Sequence, residues 1–180
     1  VHAAGYMSKR WTIAQQSDAM TPAETNAVEK RELQKGTTTV SFRLDTATRK
    51  GVDAKDAVDD DFAKQGLSLS TLADLATVLE GIDLEQHEVA LHGGASNVAL
   101  LANIAALAEQ RGFAVEKLNG AVTMDPIGEL AADGNLPRSL DEYYDEMAHG
   151  IAWAEKNAPQ LRTVLLSADV YHDGGANDVQ

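Results

Sequence analysis

The sequence of 180 residues contains no cysteine, which excludes disulfides, thiolate metal sites and cysteine nucleophiles together. Basic residues are scarce: 15 Lys and Arg stand against 28 Asp and Glu, for a formal net charge of −13. Such a field repels phosphate backbones and anionic membrane surfaces, so neither nucleic acid nor a membrane is expected as a partner. Long apolar runs are also missing. The longest, over residues 98–108, is interrupted by Asn103 and falls far short of the ~20 residues of a membrane span. No signal-peptide pattern opens the chain, and the cytoplasm is the expected compartment. There is no GxGxxG and no GxxxxGK[ST], so the dinucleotide and P-loop fingerprints both fail. No metal site is expected. Lys9-Arg10 and Arg49-Lys50 are the obvious basic spots for an anionic ligand.

What is present is a hydrophobic content of 44%, that of a globular chain long enough to bury a sizeable core. Residues 1–16 lack periodicity and read as an arm ending at an aromatic anchor, Trp11. Thr21-Pro22-Ala23-Glu24 is a strong helix start, and Gly36 permits a left-handed stop. Residues 1–36 are therefore expected to form an arm and a helix. From residue 37 the pattern alternates. Strands are expected near 37–44, 88–92, 120–124 and 163–168, the last covered on both faces, with helical periodicity between them. Leu72, Leu75, Ala76 and Leu79 share one helical face, a helix follows Gly93-Gly94-Ala95, and Ser139-Leu140-Asp141-Glu142 is a capping box. The acidic stretch over 51–66 reads as solvated loop, since it lacks the ordered alternation and central glycine of a calcium loop. The glycines at 93–94 read as a tight turn, with a phosphate cradle as the alternative.

Alternation of this kind argues for an α/β fold with parallel strands. A full (β/α)8 barrel takes ~250 residues, so residues 37–180 would make about half of a TIM barrel. The chain starts at Val1 and stops at Gln180 with no cap or tail, and is expected to be a piece of something longer. In such a fold ligands sit at the carboxyl ends of the strands. This directs attention to His92 and to the polar cluster of Asp169, Tyr171, His172, Asp173 and Asn177.

Several segments together resemble the barrel domain of the adenosylcobalamin-dependent methylmalonyl-CoA mutase family. Trp11-Thr12-Ile13 followed by Gln15 resembles the family's Arg-Pro-Trp-Thr-Ile-Arg-Gln-Tyr segment, and Thr25-Asn26-Ala27 its Ser-Asn-Ala helix. Gly81-Ile82-Asp83-Leu84 is similar to Gly-Ile-Pro-Leu, and Gly93-Gly94-Ala95 to Asn-Gly-Ala. Leu118-Asn119-Gly120 with Asp125 is similar to Leu-Ala-Gly-Thr-Ile-Gln-Asn-Asp, and Gly174-Gly175-Ala176 to Ala-Gly-Ala. The resemblance implies substrate-binding positions at Lys9, Thr12, Gln16, Thr39 and Thr123, to which the strand-end His92 is added.

The departures matter for mechanism. Where the family lines its channel with arginines and a tyrosine, this chain has Lys9, Ala14 and Gln16; only Thr12 is retained. The family's substrate-binding threonine and glutamine fall on Ala121 and Thr123, and its Tyr-His pair on Asp169 and Val170. Tyr171-His172 stands two places later and is the candidate catalytic pair, with His172 as donor to a thioester carbonyl. Asp169, His172 and Gly174 superficially resemble the cobalamin-binding Asp-x-His-x-x-Gly motif, but the histidine comes one place late.

Alanine and valine cannot supply the donors a thioester needs, so the pattern resembles the small, non-catalytic subunit of the heterodimeric bacterial enzyme. That implies a catalytic large subunit as partner, adenosylcobalamin bound in the full assembly rather than by this chain, acyl-CoA as ligand, and self-association through open barrel edges. The alternatives are a divergent catalytic acyl-CoA mutase and a free-standing α/β small-molecule binding module.

Overall fold

A computed structural model describes residues 11–53, 55–56 and 66–177. Five strands form one sheet: β1 (Ala14–Ser17), β2 (Thr39–Phe42), β3 (Glu88–His92), β4 (Gly120–Met124) and β5 (Leu161–Val164). All pairings are parallel, in the order β1-β2-β3-β4-β5. Between them run α1 (Pro22–Lys35), α2 (Thr46–Lys50), α3 (Leu72–Val78), α4 (Asn97–Gln110), α5 (Pro126–Asp133) and α6 (Leu140–Asn157), with α7 (Asp169–Asp173) after β5.

The order has no reversal, and this decides the architecture. Crossovers of one hand between successive neighbours place every helix on the same face of the sheet. A doubly wound sheet would need a switch point. Accordingly α1 packs on α3, α3 on α4, and α4 on α6. Val40, Phe42, Val89, Leu91 and Val122 point into this layer against Leu75, Leu100 and Ile104, all buried. The opposite face carries small or polar side chains: Ser41, Ala90, Ala121 and Arg162 lie in one row of the register. This α/β fold is consistent with part of a (β/α)8 barrel.

Local chemistry fixes the elements. Thr21 Oγ1 accepts from Glu24 N at the start of α1, and Gly36 ends it at φ 112°. Asn26 Nδ2 donates to Val78 O at 2.7 Å and Glu80 O at 2.9 Å, binding α1 to the unpaired carbonyls at the end of α3. Ser139 and Glu142 form the capping box of α6. Gly120 lets β4 approach β3 closely, since a Cβ there would lie 2.1 Å from Val89 O.

Two expectations need correction. The arm expected over residues 1–16 includes most of β1. Its Ala-Gln-Gln-Ser sequence is exposed apart from Ser17, so no side-chain pattern marks it; backbone pairing with β2 makes it a strand. Trp11 is 74% exposed and is not a buried anchor. The last strand, expected at 163–168 and covered on both faces, runs Leu161–Val164 with alternating burial, because only one of its faces is packed, against α6. Residues beyond it leave the ladder as Ser167 N turns to Asp125 Oδ2 at 2.9 Å. The acidic stretch over 51–66 lies mostly outside the described residues.

Glu29 of α1 is buried behind β2, with Oε2 accepting from Ser41 N at 3.2 Å and Oε1 without a partner. Burial pushes its carboxyl up to about 7, against the lowering effect of the Ser41 hydrogen bond. A raised acid binds its proton more tightly in the folded state, so stability should fall as pH rises from about 4.5 to about 7. Glu29→Gln keeps an acceptor without the charge. In urea titrations it should gain on the order of 3 kcal/mol over wild type at pH 8 and nothing at pH 4.

Candidate functional site

The carboxyl ends of all five strands face a cavity of about 300 Å³. Gln16 reaches it from β1, Arg43 and Leu44 from the end of β2, His92 from β3, Thr123 and Met124 from β4, and Leu165 and Ser167 from beyond β5. Arg49 of α2, Glu129 of α5, and Asp169 and Val170 of α7 complete the wall.

His92 and Thr123 occupy paired positions at the ends of β3 and β4. His92 Nδ1 lies 2.9 Å from Thr123 Oγ1, and Thr123 Oγ1 also lies 3.3 Å from Leu91 O. With the hydroxyl proton on Leu91 O, Nδ1 carries the donor proton and Nε2 is left an acceptor. Burial lowers the pKa of His92, while the negative charge of Asp169 acts the other way. The ring is therefore neutral at pH 7.

Asp125 is the structural tie beneath the cavity. Its Oδ1 accepts from Gly128 N at 2.9 Å, capping α5, and its Oδ2 accepts from Ser167 N. One carboxylate thus joins the end of β4, α5 and the segment after β5. Asp169 accepts the Ser167 hydroxyl, which holds its carboxyl below the usual range.

Glu129 and Arg49 face each other differently. Burial pushes Glu129 up to about 7; Arg49 opposes the shift, while Asp133 and Asp125 reinforce it. Arg49 Nε is buried without a hydrogen-bond partner.

The expected site residues divide. Gln16, His92 and Thr123 come together in the cavity wall. Thr39 lies at the amino end of β2, paired with Glu88, at the far end of the strands from the cavity. Thr12 is exposed and precedes β1, and Lys9 lies outside the described residues. Tyr171 and His172 are exposed on α7, while Asp169 and Val170, the positions aligned with the family's pair, line the cavity. Reasoning from sequence overlooked Glu129; Asp125-Pro126, a cap followed by proline in the first turn, was the available signal for its helix. Arg49 was marked by charge alone.

A family model described as methylmalonyl-CoA mutase matches residues 1–180. The chain belongs to the methylmalonyl-CoA mutase family. It is 28% identical over 176 residues to the methylmalonyl-CoA mutase of Escherichia coli (strain K12), covering 97% of this chain and 25% of that protein. Against the 2-hydroxyisobutanoyl-CoA mutase large subunit of Aquincola tertiaricarbonis it is 28% identical, covering 97% of this chain and 31% of the relative. Against the probable methylmalonyl-CoA mutase large subunit of Mycobacterium bovis it is 30% identical, covering 95% and 23%. The chain thus spans about a quarter to a third of these relatives. Within the family's sequence pattern, the Leu-x-Gly match at Leu118-Asn119-Gly120 has a physical basis in the close approach at Gly120.

Asp125→Ala removes a helix cap and the anchor of Ser167 together. It should cost about 2–3 kcal/mol in urea unfolding. Asp125→Asn, which keeps one acceptor oxygen, should lose about half as much.

Proposed function

We propose that this chain supplies one part of the barrel of an adenosylcobalamin-dependent methylmalonyl-CoA mutase assembly, as a small subunit with a structural role beside a catalytic large subunit. The observation that carries this reading is the placement of α7. Asp169 and Val170 line the cavity where the family pattern has Tyr-His, and Tyr171 and His172 are exposed outside it. A carboxylate and an isopropyl group cannot donate hydrogen bonds to a thioester oxygen.

The sheet edges support an assembly. Among the described residues β1 and β5 are the terminal strands of a parallel sheet, and such edges are ordinarily paired or covered. Acyl-CoA and the large subunit are the partners this reading names, and self-association is the expected behaviour of the chain without them. The cytoplasm is the proposed compartment; among the described residues no helix is long and apolar enough to cross a membrane.

The described residues do not carry the family's corrin-ligand motif: after Asp169 the histidine of the Asp-x-His-x-x-Gly pattern comes one place late, at His172. Adenosylcobalamin therefore belongs, in this reading, to another part of the assembly.

A second reading, a divergent catalytic acyl-CoA mutase, is favoured by one observation: the neutral His92 paired with Thr123 at the cavity. The two separate by kinetics. In the native assembly, His92→Ala and Thr123→Ala should leave methylmalonyl-CoA to succinyl-CoA interconversion within about twofold of wild type. A loss of about 100-fold or more, the scale of a missing acid–base or polarising group, would overturn the structural role in favour of the catalytic one.

A further inference from the structure

Charged side chains make up 24% of the chain, yet residues 93–108 contain none, and these include α4 up to its last turn. Residues 147–154 of the neighbouring α6 contain none either. A helix without charge on any side is ordinarily buried on every side. α4 is buried on one. Leu100, Leu101, Ile104 and Leu107 pack into the core, whereas Val98 is 39% exposed and Ala99 and Ala102 are exposed with it. On α6, Ile151 and Ala152 are exposed beside them. Between the two helices lies a groove of about 320 Å³ lined by Val98, Leu101, Ala102, His149, Gly150 and Trp153. The contrast with α1 in the same layer is plain: it shows Glu24, Arg31 and Lys35 to solvent. An uncharged, grooved helix pair of this kind marks a surface that another polypeptide covers.

Electrostatics identify the occupant. A second copy brings the same formal charge of −13, so two copies can approach closely only where acids are missing from both surfaces. This face set against itself meets that condition. The ends of α4 add complementarity. Its first turn holds no acid, and Ser96 at the N-cap donates its hydroxyl to Thr48 O instead of capping the N–H groups of that turn. Its last turn holds Glu109 and no base, which sets an acid at the negative end of the helix's own dipole. Arg111, just beyond, is turned to the carbonyls of Ile82 and Ala76 at 3.4 Å each. An antiparallel copy of the same helix corrects both ends at once.

We propose that the outer face of α4 is a homodimer interface, packed antiparallel against α4 of a second copy about a twofold axis between Ala102 and Asn103. Ala99 of each copy then faces Ala106 of the other, and each Glu109 faces the uncapped first turn of the other helix. The small side chains of Ala99 and Ala102 allow close approach, and the rotation encloses the groove between the copies. Trp153, which borders that groove beside Ala102, is the large apolar side chain that this contact covers. An interface of this kind is isologous, so association stops at two copies. The inference does not rest on the assembly reading and uses neither edge of the sheet.

The absence of cysteine makes the test clean. Light scattering on the full chain should give twice the chain mass. Ala102→Arg, at an exposed position, should raise the dissociation constant about 100-fold or more, the scale of an unpaired charge buried in a contact, with an unchanged circular dichroism spectrum. Under mild oxidation, a mixture of Ala99→Cys and Ala106→Cys should form the mixed disulfide about tenfold or more in excess over either same-variant product. Gln34→Cys, on the exposed face of α1, should form none. A monomeric wild type, with α4 protected only by a different polypeptide of the native assembly, would overturn the second copy as occupant. Association that Ala102→Arg leaves unchanged, or that grows beyond two copies, would assign it to the sheet edges and overturn the α4 contact. Same-variant disulfides in excess would overturn the antiparallel arrangement.

Discussion

The unreversed order of the five parallel strands is the constraint from which the rest of the structure follows. It gathers the helices on one face and lets the apolar residues of the strands, Val40, Leu91 and Val122 among them, point only that way. The other face is left to small and polar residues. It also aligns the carboxyl ends of all the strands, so Gln16, Arg43, His92, Thr123 and Leu165 converge on one cavity although about 150 residues of sequence separate the first from the last. Two open edges are the cost of the same arrangement.

Electrostatics at the cavity run against the charge of the chain as a whole. With a formal net charge of −13, the protein still places Arg43 and Arg49 at this mouth. The acids there are held in two ways. Asp125 and Asp169 are stabilised by hydrogen bonds, from backbone amides and from the Ser167 hydroxyl respectively. Glu129, which receives no such bond among the causes of its shift, responds to burial by retaining its proton. Asp169 and Glu129 are therefore shifted in opposite directions within one wall, the first by the Ser167 hydroxyl and the second by burial.

Much of this was legible in the sequence where local chemistry is unambiguous. Thr21 and Ser139 marked helix starts because a hydroxyl cap is a local device, and β3 and β4 were evident because both are central strands with apolar residues facing the helices. β1 was not legible: an exposed edge strand of Ala, Gln, Gln and Ser has no periodicity, and its pairing is made by backbone groups common to every residue. The short helices α2 and α7 fell in polar stretches read as following a strand's end. The missed α7 had the largest consequence. Its helical turn sends Asp169 and Val170 to the cavity and leaves Tyr171 and His172 exposed, a distinction that residue spacing without a backbone conformation does not contain. Family resemblance was legible because residues such as Asn26 and Gly120 meet geometric demands that few alternatives satisfy.

In the proposed assembly the two edges of this sheet are covered by further polypeptide. Hydrogen exchange measured by mass spectrometry on the native assembly, with the isolated chain for comparison, tests it most directly. The amides of Ala14–Ser17 and Leu161–Val164 should exchange as slowly as those of Glu88–His92 in the assembly and much faster in the isolated chain. Fast exchange at both edges in the native protein, or equal protection with and without other polypeptide, would contradict the account.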